Sequence, residues 1–169
     1  MWVFFVAALV PMAVGALYYS PLVAGRAWMR VNGFTDESLA GANMPLVLGL
    51  SYLFALLLTY PLWQLCVHQT GLVGVLATQE GFGEAGSEVT QYYRAFVERY
   101  GEAHRSFGHG ALHGGAVAGV CFALPVIAIN ALFERRGWRY IAIHATYWII
   151  TLTLMGGLIG AFAPGGPPV

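Results

Sequence analysis

The chain has 169 residues, 58% hydrophobic and only 9% charged, with a formal net charge of zero. Soluble domains carry about 25% charged residues, and a mean hydropathy of +0.65 points the same way. These values describe a single integral membrane domain over residues 1–169, with no electrostatic footprint for nucleic acid.

Four apolar runs are long enough to cross a hydrocarbon core, which takes about 20 apolar residues in a helix. The first covers residues 2–23. No lysine or arginine precedes it, so it reads as an uncleaved span rather than a signal peptide. The second covers residues 45–67, and "GLVGVLA" after it is too short to span, so it extends that helix or lies in the interface. "QEGFGEAGS" then reads as a glycine-rich loop. Residues 87–105 place Val89, Tyr92, Tyr93, Phe96, Val97, Tyr100 and Ala103 at helical spacing, an amphipathic interfacial helix with Ser87 as its N-cap. It lacks a lysine-rich face, so packing on its own bundle or on a partner is expected. The third span covers residues 107–133 and the fourth residues 140–162. The expected fold is all-α, a four-span transmembrane bundle with one amphipathic helix between spans 2 and 3. Pro11, Pro61 and Pro125 each remove a backbone donor and bend their helices. Cys66 and Cys121 lie inside apolar runs and read as small hydrophobes.

Arginines set the orientation. Arg26 and Arg30 follow the first span, and Arg135, Arg136 and Arg139 follow the third. The long middle connection holds Arg94, Arg99 and Arg105. Five against three places the short connections in the cytoplasm and both termini outside, in a bacterial inner membrane. Trp28, Trp138 and Tyr140 flank the five arginines as an interfacial belt does.

Three groups of residues carry information beyond the spans. Gly110 with Gly114, Gly115 with Gly119, and Gly156 with Gly160 are small-xxx-small pairs. Such pairs let helix backbones approach closely in lipid. They predict tight contact of the third and fourth helices, with each other or across a homo-oligomer. Four of the five histidines, His68, His104, His109 and His113, gather near the outer side; His68, His109 and His113, with Glu102, form either an interfacial polar cluster bonded to water and backbone or a candidate zinc or copper site. A haem with an axial histidine is the other candidate cofactor. Gly110 stands where a metalloprotease HExxH motif would place its base. At the inner end Asn130 and His144 lie at matching depth and are expected to hydrogen-bond. No glycine-rich phosphate loop and no nucleophile signature appears, so no reaction is assigned.

Both ends of the chain resemble a known family. "GALYYSPLVAGRAWMRVNGFT" resembles the opening of the bacterial membrane family called domain of unknown function 1761, whose aromatic-Tyr-Ser-Pro turn corresponds here to Tyr18, Tyr19, Ser20 and Pro21. Arg26 and Trp28 follow as that opening requires. "NALFERRGWRYIAIHATYWIITLTLMGGLIGAF" is similar to the family's last hairpin through Asn130, Phe133, Glu134, Arg135, Tyr147, Met155 and Gly156. His144 departs from the pattern, standing where many members have asparagine. The resemblance implies a four-helix membrane protein and no particular reaction. The reading that follows is a structural or accessory membrane subunit acting through helix packing, as a homo-oligomer or within a larger complex. A small-solute or ion path between protomers and a histidine-ligated metal or haem protein are the alternatives.

Overall fold

The structure is a computed structural model and describes residues 1–167. It is all-helical among the described residues. Ten α-helices and one π-helical segment follow in order: α1 Trp2–Ala7, α2 Val10–Tyr18, α3 Gly25–Asn32, α4 Asp36–Ala40, α5 Met44–Cys66, α6 Gln69–Leu76, α7 Glu88–Tyr100, α8 Phe107–Leu112, the π segment His113–Ala123, α9 Leu124–Phe133 and α10 Trp138–Phe162. α8, the π segment and α9 join end to end as one rod, Phe107–Phe133.

Three helices are long and apolar enough to span a membrane: Met44–Cys66, Phe107–Phe133 and Trp138–Phe162. The expected first span is instead a shorter apolar stretch, Trp2–Tyr18, broken after Ala7. Pro11 supplies the reason. Its ring has no N–H and clashes with the carbonyl four residues back, which belongs to Ala7. The stretch then ends at Tyr18, because Ser20 to Ala24 turn rather than continue: Gly25 N–H and Val23 N–H both donate to the Ser20 carbonyl. Only glycine fits at residue 25, where a Cβ would sit 2.7 Å from the Ser20 carbonyl oxygen.

α10 is the central element. It packs against α8, the π segment, α5, α9, α1, α2 and α3. Met155 and Ile159 are fully buried in the core with Val3, Ala7, Leu62, Cys66 and Val67. Two tyrosines fasten the broken first stretch to it. Tyr18 donates to the Ile143 carbonyl at 3.1 Å, and Tyr147 donates to the Pro11 carbonyl at 2.9 Å.

The closest approach is between the rod and α10. A Cβ at Gly110 would lie 2.9 Å from Gly160 Cα and against the Gly156 carbonyl. A Cβ at Gly114 would lie 3.1 Å from Gly156 Cα, and one at Gly119 would lie 3.0 Å from Ile149 Cα. Gly115 faces the Thr153 hydroxyl, and Gly157 makes room for the Phe107 ring. All six glycines of the three sequence pairs are buried by this contact within one chain. Of the two contacts expected of them, they make the one between the third and fourth helices of the same chain. The large exposed apolar flank is on α5, at Leu50, Leu53, Phe54 and Leu57.

α7 covers Glu88–Tyr100, with Ser87 accepting from Thr90 N–H at its start. Its expected apolar face is buried mainly through Tyr93, while Tyr92, Val97 and Tyr100 stay exposed. "GLVGVLA" does not extend α5. Val67 is extended, and α6 begins anew at Gln69.

Adding a methyl group at Gly114 or Gly156 is expected to destabilise the bundle by about 1–3 kcal/mol, the usual cost of overpacking. Gly49 lies in α5 with no atom in reach of an added Cβ. Gly49→Ala should be neutral or stabilise by up to about 1 kcal/mol, since alanine leaves the unfolded chain fewer conformations than glycine does. Thermal unfolding of the three variants in one detergent checks this; equal midpoints for Gly114→Ala and Gly49→Ala would refute it.

Candidate histidine centre

The break between α5 and α6 places the first ligand candidate. Val67 leaves the helix, so His68 stands at the N-terminal boundary of α6 rather than on the side of a rod. Thr70 fixes the break by donating to the Val67 carbonyl at 2.7 Å. His109 and His113 come from the start of the rod, four residues apart and so on one helix face. Ser106 caps that start, accepting from His109 N–H at 3.1 Å.

The three rings meet. His68 Nε2 and His109 Nε2 are 2.9 Å apart. Ring centroids are 5.0 Å apart for His68 and His109, 5.0 Å for His68 and His113, and 4.3 Å for His109 and His113. One ring nitrogen from each residue lies within 4.8 Å of the others. His113 Nδ1 is 3.0 Å from the His109 carbonyl oxygen, to which its N–H donates. That tautomer leaves a lone pair on Nε2, the arrangement found behind metal-bound imidazoles. His68 is exposed and the other two are half-buried, so the cluster sits at the mouth of the bundle.

A fourth ring stands alongside. His104 is 4.8 Å from His109 and 5.8 Å from His68, centroid to centroid. Its backbone is left-handed, with φ of 62°. A non-glycine residue in that region is uncommon and is held by its surroundings. Here the holding group is Gln69, whose Nε2 donates to the carbonyls of Tyr100, Gly101 and Ala103 at 3.2, 3.0 and 2.8 Å. Arg105 and Trp63 then tie down the segment after α10, donating to the carbonyls of Ala163 and Pro164. Gln69 and Arg105 are not among the site residues read from the sequence, and His104 is read there as a neighbour of the cluster and not as a ligand. The signal available was the run "VHQTG", a polar triplet at the end of an apolar span.

Glu102 is not part of the convergent donor set. Its carboxylate acts on Arg105 instead, which it helps keep protonated against the cost of burial. Cys66 lies beneath the cluster, buried, with its thiol on the Gly110 carbonyl at 3.5 Å. It behaves as the small hydrophobe expected.

The inner end differs from expectation. His144 Nε2 is buried without a hydrogen-bond partner, and Asn130 faces outward, so no hydrogen bond joins them. The register of α10 turns His144 toward the Tyr-Ser-Pro turn. Its ring lies 4.3 Å from Tyr140 and 6.4 Å from Tyr19, centroid to centroid. Tyr19 also packs on Trp28 and Tyr147, at 5.3 and 5.0 Å. Tyr19, Ser20 and Pro21 thus form a packing corner. Ser20 Oγ is buried and unpartnered, and Pro21 is exposed.

The His68 ring titrates below the ordinary histidine value, because burial and then the imidazoles of His113 and His104 disfavour its charged form. A group with a depressed folded pKa stabilises the fold above its unfolded value, about 6.5, and that contribution is lost as pH falls through the folded value. The unfolding midpoint should therefore drop below about pH 6.5, and His68→Gln should flatten that limb. Parallel pH–stability curves for the two proteins would count against the cluster as drawn.

No curated protein and no solved structure matches this chain. The profile of the family described as Protein of unknown function (DUF1761) matches residues 2–160. The match runs over nearly the whole length, and the protein belongs to that family.

Proposed function

We propose that this chain is an integral membrane protein that binds one transition-metal ion through His68, His109 and His113. The observation that carries the reading is the convergence of three imidazole nitrogens from two separate elements at the mouth of the bundle. Zinc takes histidine nitrogens at about 2.0–2.1 Å, so two ligands of a tetrahedron lie about 3.3 Å apart. The 2.9 Å between His68 and His109 is close to that edge. A ring nitrogen of His113 lies within 4.8 Å of the other two ligand atoms, in reach as a third ligand. All-imidazole donors suit zinc or copper and leave a coordination position for water or a fourth ligand, with His104 beside it. Ring centroids 4.3–5.0 Å apart leave no slot for a porphyrin, so a single ion is favoured over haem.

The bilayer reading rests on the three long apolar helices. The short stretch Trp2–Tyr18 runs beside α10, with Trp2 at Phe162 and Tyr18 at Ile143, and counts as a fourth crossing; the arginine-bearing short connections then lie in the cytoplasm, and the histidine centre and both termini outside, in a bacterial inner membrane. A subunit role through helix packing uses the exposed flank of α5, since the glycine faces are occupied within the chain. A solute path inside one chain is disfavoured by the apolar core of Leu62, Leu152, Met155 and Ile159 between the two polar ends.

Chelator-stripped protein titrated with Zn²⁺ or Cu²⁺ should bind one ion per chain. His109→Ala with His113→Ala should weaken binding by at least about a hundredfold, more than the loss of an outer-shell partner costs. His144→Gln should leave it unchanged. Substoichiometric metal, or equal binding by the double variant, would overturn the assignment. For orientation, a cysteine at Ser87 in a Cys66→Ser, Cys121→Ser background should react with an impermeant maleimide on intact spheroplasts, whereas one at Arg135 should not. The reverse pattern would invert the topology.

A further inference from the structure

A second cleft lies at the opposite end of the molecule. It has a volume of about 280 Å³ and lies between α3 and the start of α10, lined by Ala27, Arg30, Val31, Trp138, Arg139, Ala142 and Ile143. We propose that this cleft holds the phosphate of an anionic phospholipid headgroup between the guanidinium groups of Arg30 and Arg139.

The first argument is charge. Arg26, Arg30, Arg135, Arg136 and Arg139 face only Asp36, Glu37 and Glu134 along these segments. Among the described residues the one ion pair of this end is Arg136 with Glu134, at 3.7 Å. Arg136 also donates to the Val31 carbonyl at 3.3 Å, which fixes α3 against the start of α10 and forms the cleft wall. Arg139 lies over the Trp138 ring, 5.7 Å from its centroid, with no carboxylate partner among the described residues. Arg26 and Arg30 are one turn apart on α3, a like-charge spacing that costs stability unless an anion sits nearby. Guanidinium groups are the side chains that bind phosphate in a bidentate manner.

The second argument is depth. Trp138, which lines the cleft, is 72% exposed, and Leu22 and Phe133, in the segments just before α3 and α10, are 93% and 87% exposed. Such side chains belong at the boundary of acyl chains and headgroups, where tryptophan is enriched. The cleft therefore opens at the level of lipid phosphates. Its floor of Ala27, Val31, Ala142 and Ile143 is apolar, as the glycerol end of a bound glycerolipid requires. The volume lies just below the range of drug-sized pockets and suits a headgroup. Basic clefts between helices at a membrane surface recognise anionic headgroups by this combination.

The test is native mass spectrometry of the full chain titrated with phosphatidylglycerol, with phosphatidylcholine of the same acyl chains, and with inorganic phosphate. The wild type should hold one phosphatidylglycerol with at least about tenfold preference over phosphatidylcholine, given about 1 kcal/mol per arginine at the surface. Arg30→Gln with Arg139→Gln should abolish the preference, and Arg99→Gln, near the histidine end, should preserve it. Arg30→Gln alone, the milder change, should reduce it part way. Equal retention of both lipids, a preference that survives the double substitution, or binding of inorganic phosphate without lipid preference would each overturn the proposal.

Discussion

Gly110 and Gly114 meet Gly156 and Gly160 backbone against backbone, and almost everything else in the molecule is placed by that contact. In lipid there is no hydrophobic gain from pressing two apolar helices together, so association rests on close van der Waals packing and interhelical polar contacts. Glycine removes the Cβ that would hold the axes apart. Once the rod and α10 are seated, the start of the rod is fixed beside the end of α5, and His109 and His113 acquire a definite position relative to His68. The long π segment begins at His113 and carries Gly114, Gly115 and Gly119. π-Helical turns are rare and often accompany functional sites. Here the segment begins at a member of the histidine cluster.

The histidine end is held by backbone carbonyls gathered onto a few donors. Gln69 takes three carbonyls from the turn after α7, while Arg105 and Trp63 take two from the segment after α10. These bonds stitch together four parts of the chain that otherwise share little buried surface. They also explain why His104 keeps a left-handed backbone, since the Ala103 carbonyl just before it is already held.

The two ends of the bundle are chemically unlike. One gathers imidazoles and bonds its own loops inward. The other gathers guanidinium groups around an aromatic corner of Tyr18, Tyr19, Trp28 and Tyr147 and exposes apolar side chains outward. Between them lies a dry core. That division follows from the bilayer itself, since ionisable groups are expensive in hydrocarbon and collect where water or phosphate can reach them.

Composition and apolar run length by themselves determined the membrane class, the helical fold and the bounds of the long helices, because hydrocarbon permits few backbone solutions. The rod was legible as residues 107–133 and the last helix nearly so. The glycine pairs announced a close contact, and the spacing of His109 and His113 announced a shared face. What the sequence left open was decided by register and by local breaks. Which surface the glycines meet depends on how α10 is rotated, and that rotation turned His144 to the tyrosines and left Asn130 outside. Pro11 broke the first stretch and the turn after Ser20 ended it early, which hydropathy alone does not register. His68 joins the cluster only because Val67 leaves the helix, and His104 only because Gln69 pulls in a turn about thirty residues away. The first outcome is a local break held by Thr70 and the second a contact between distant segments, and an apolar run shows neither.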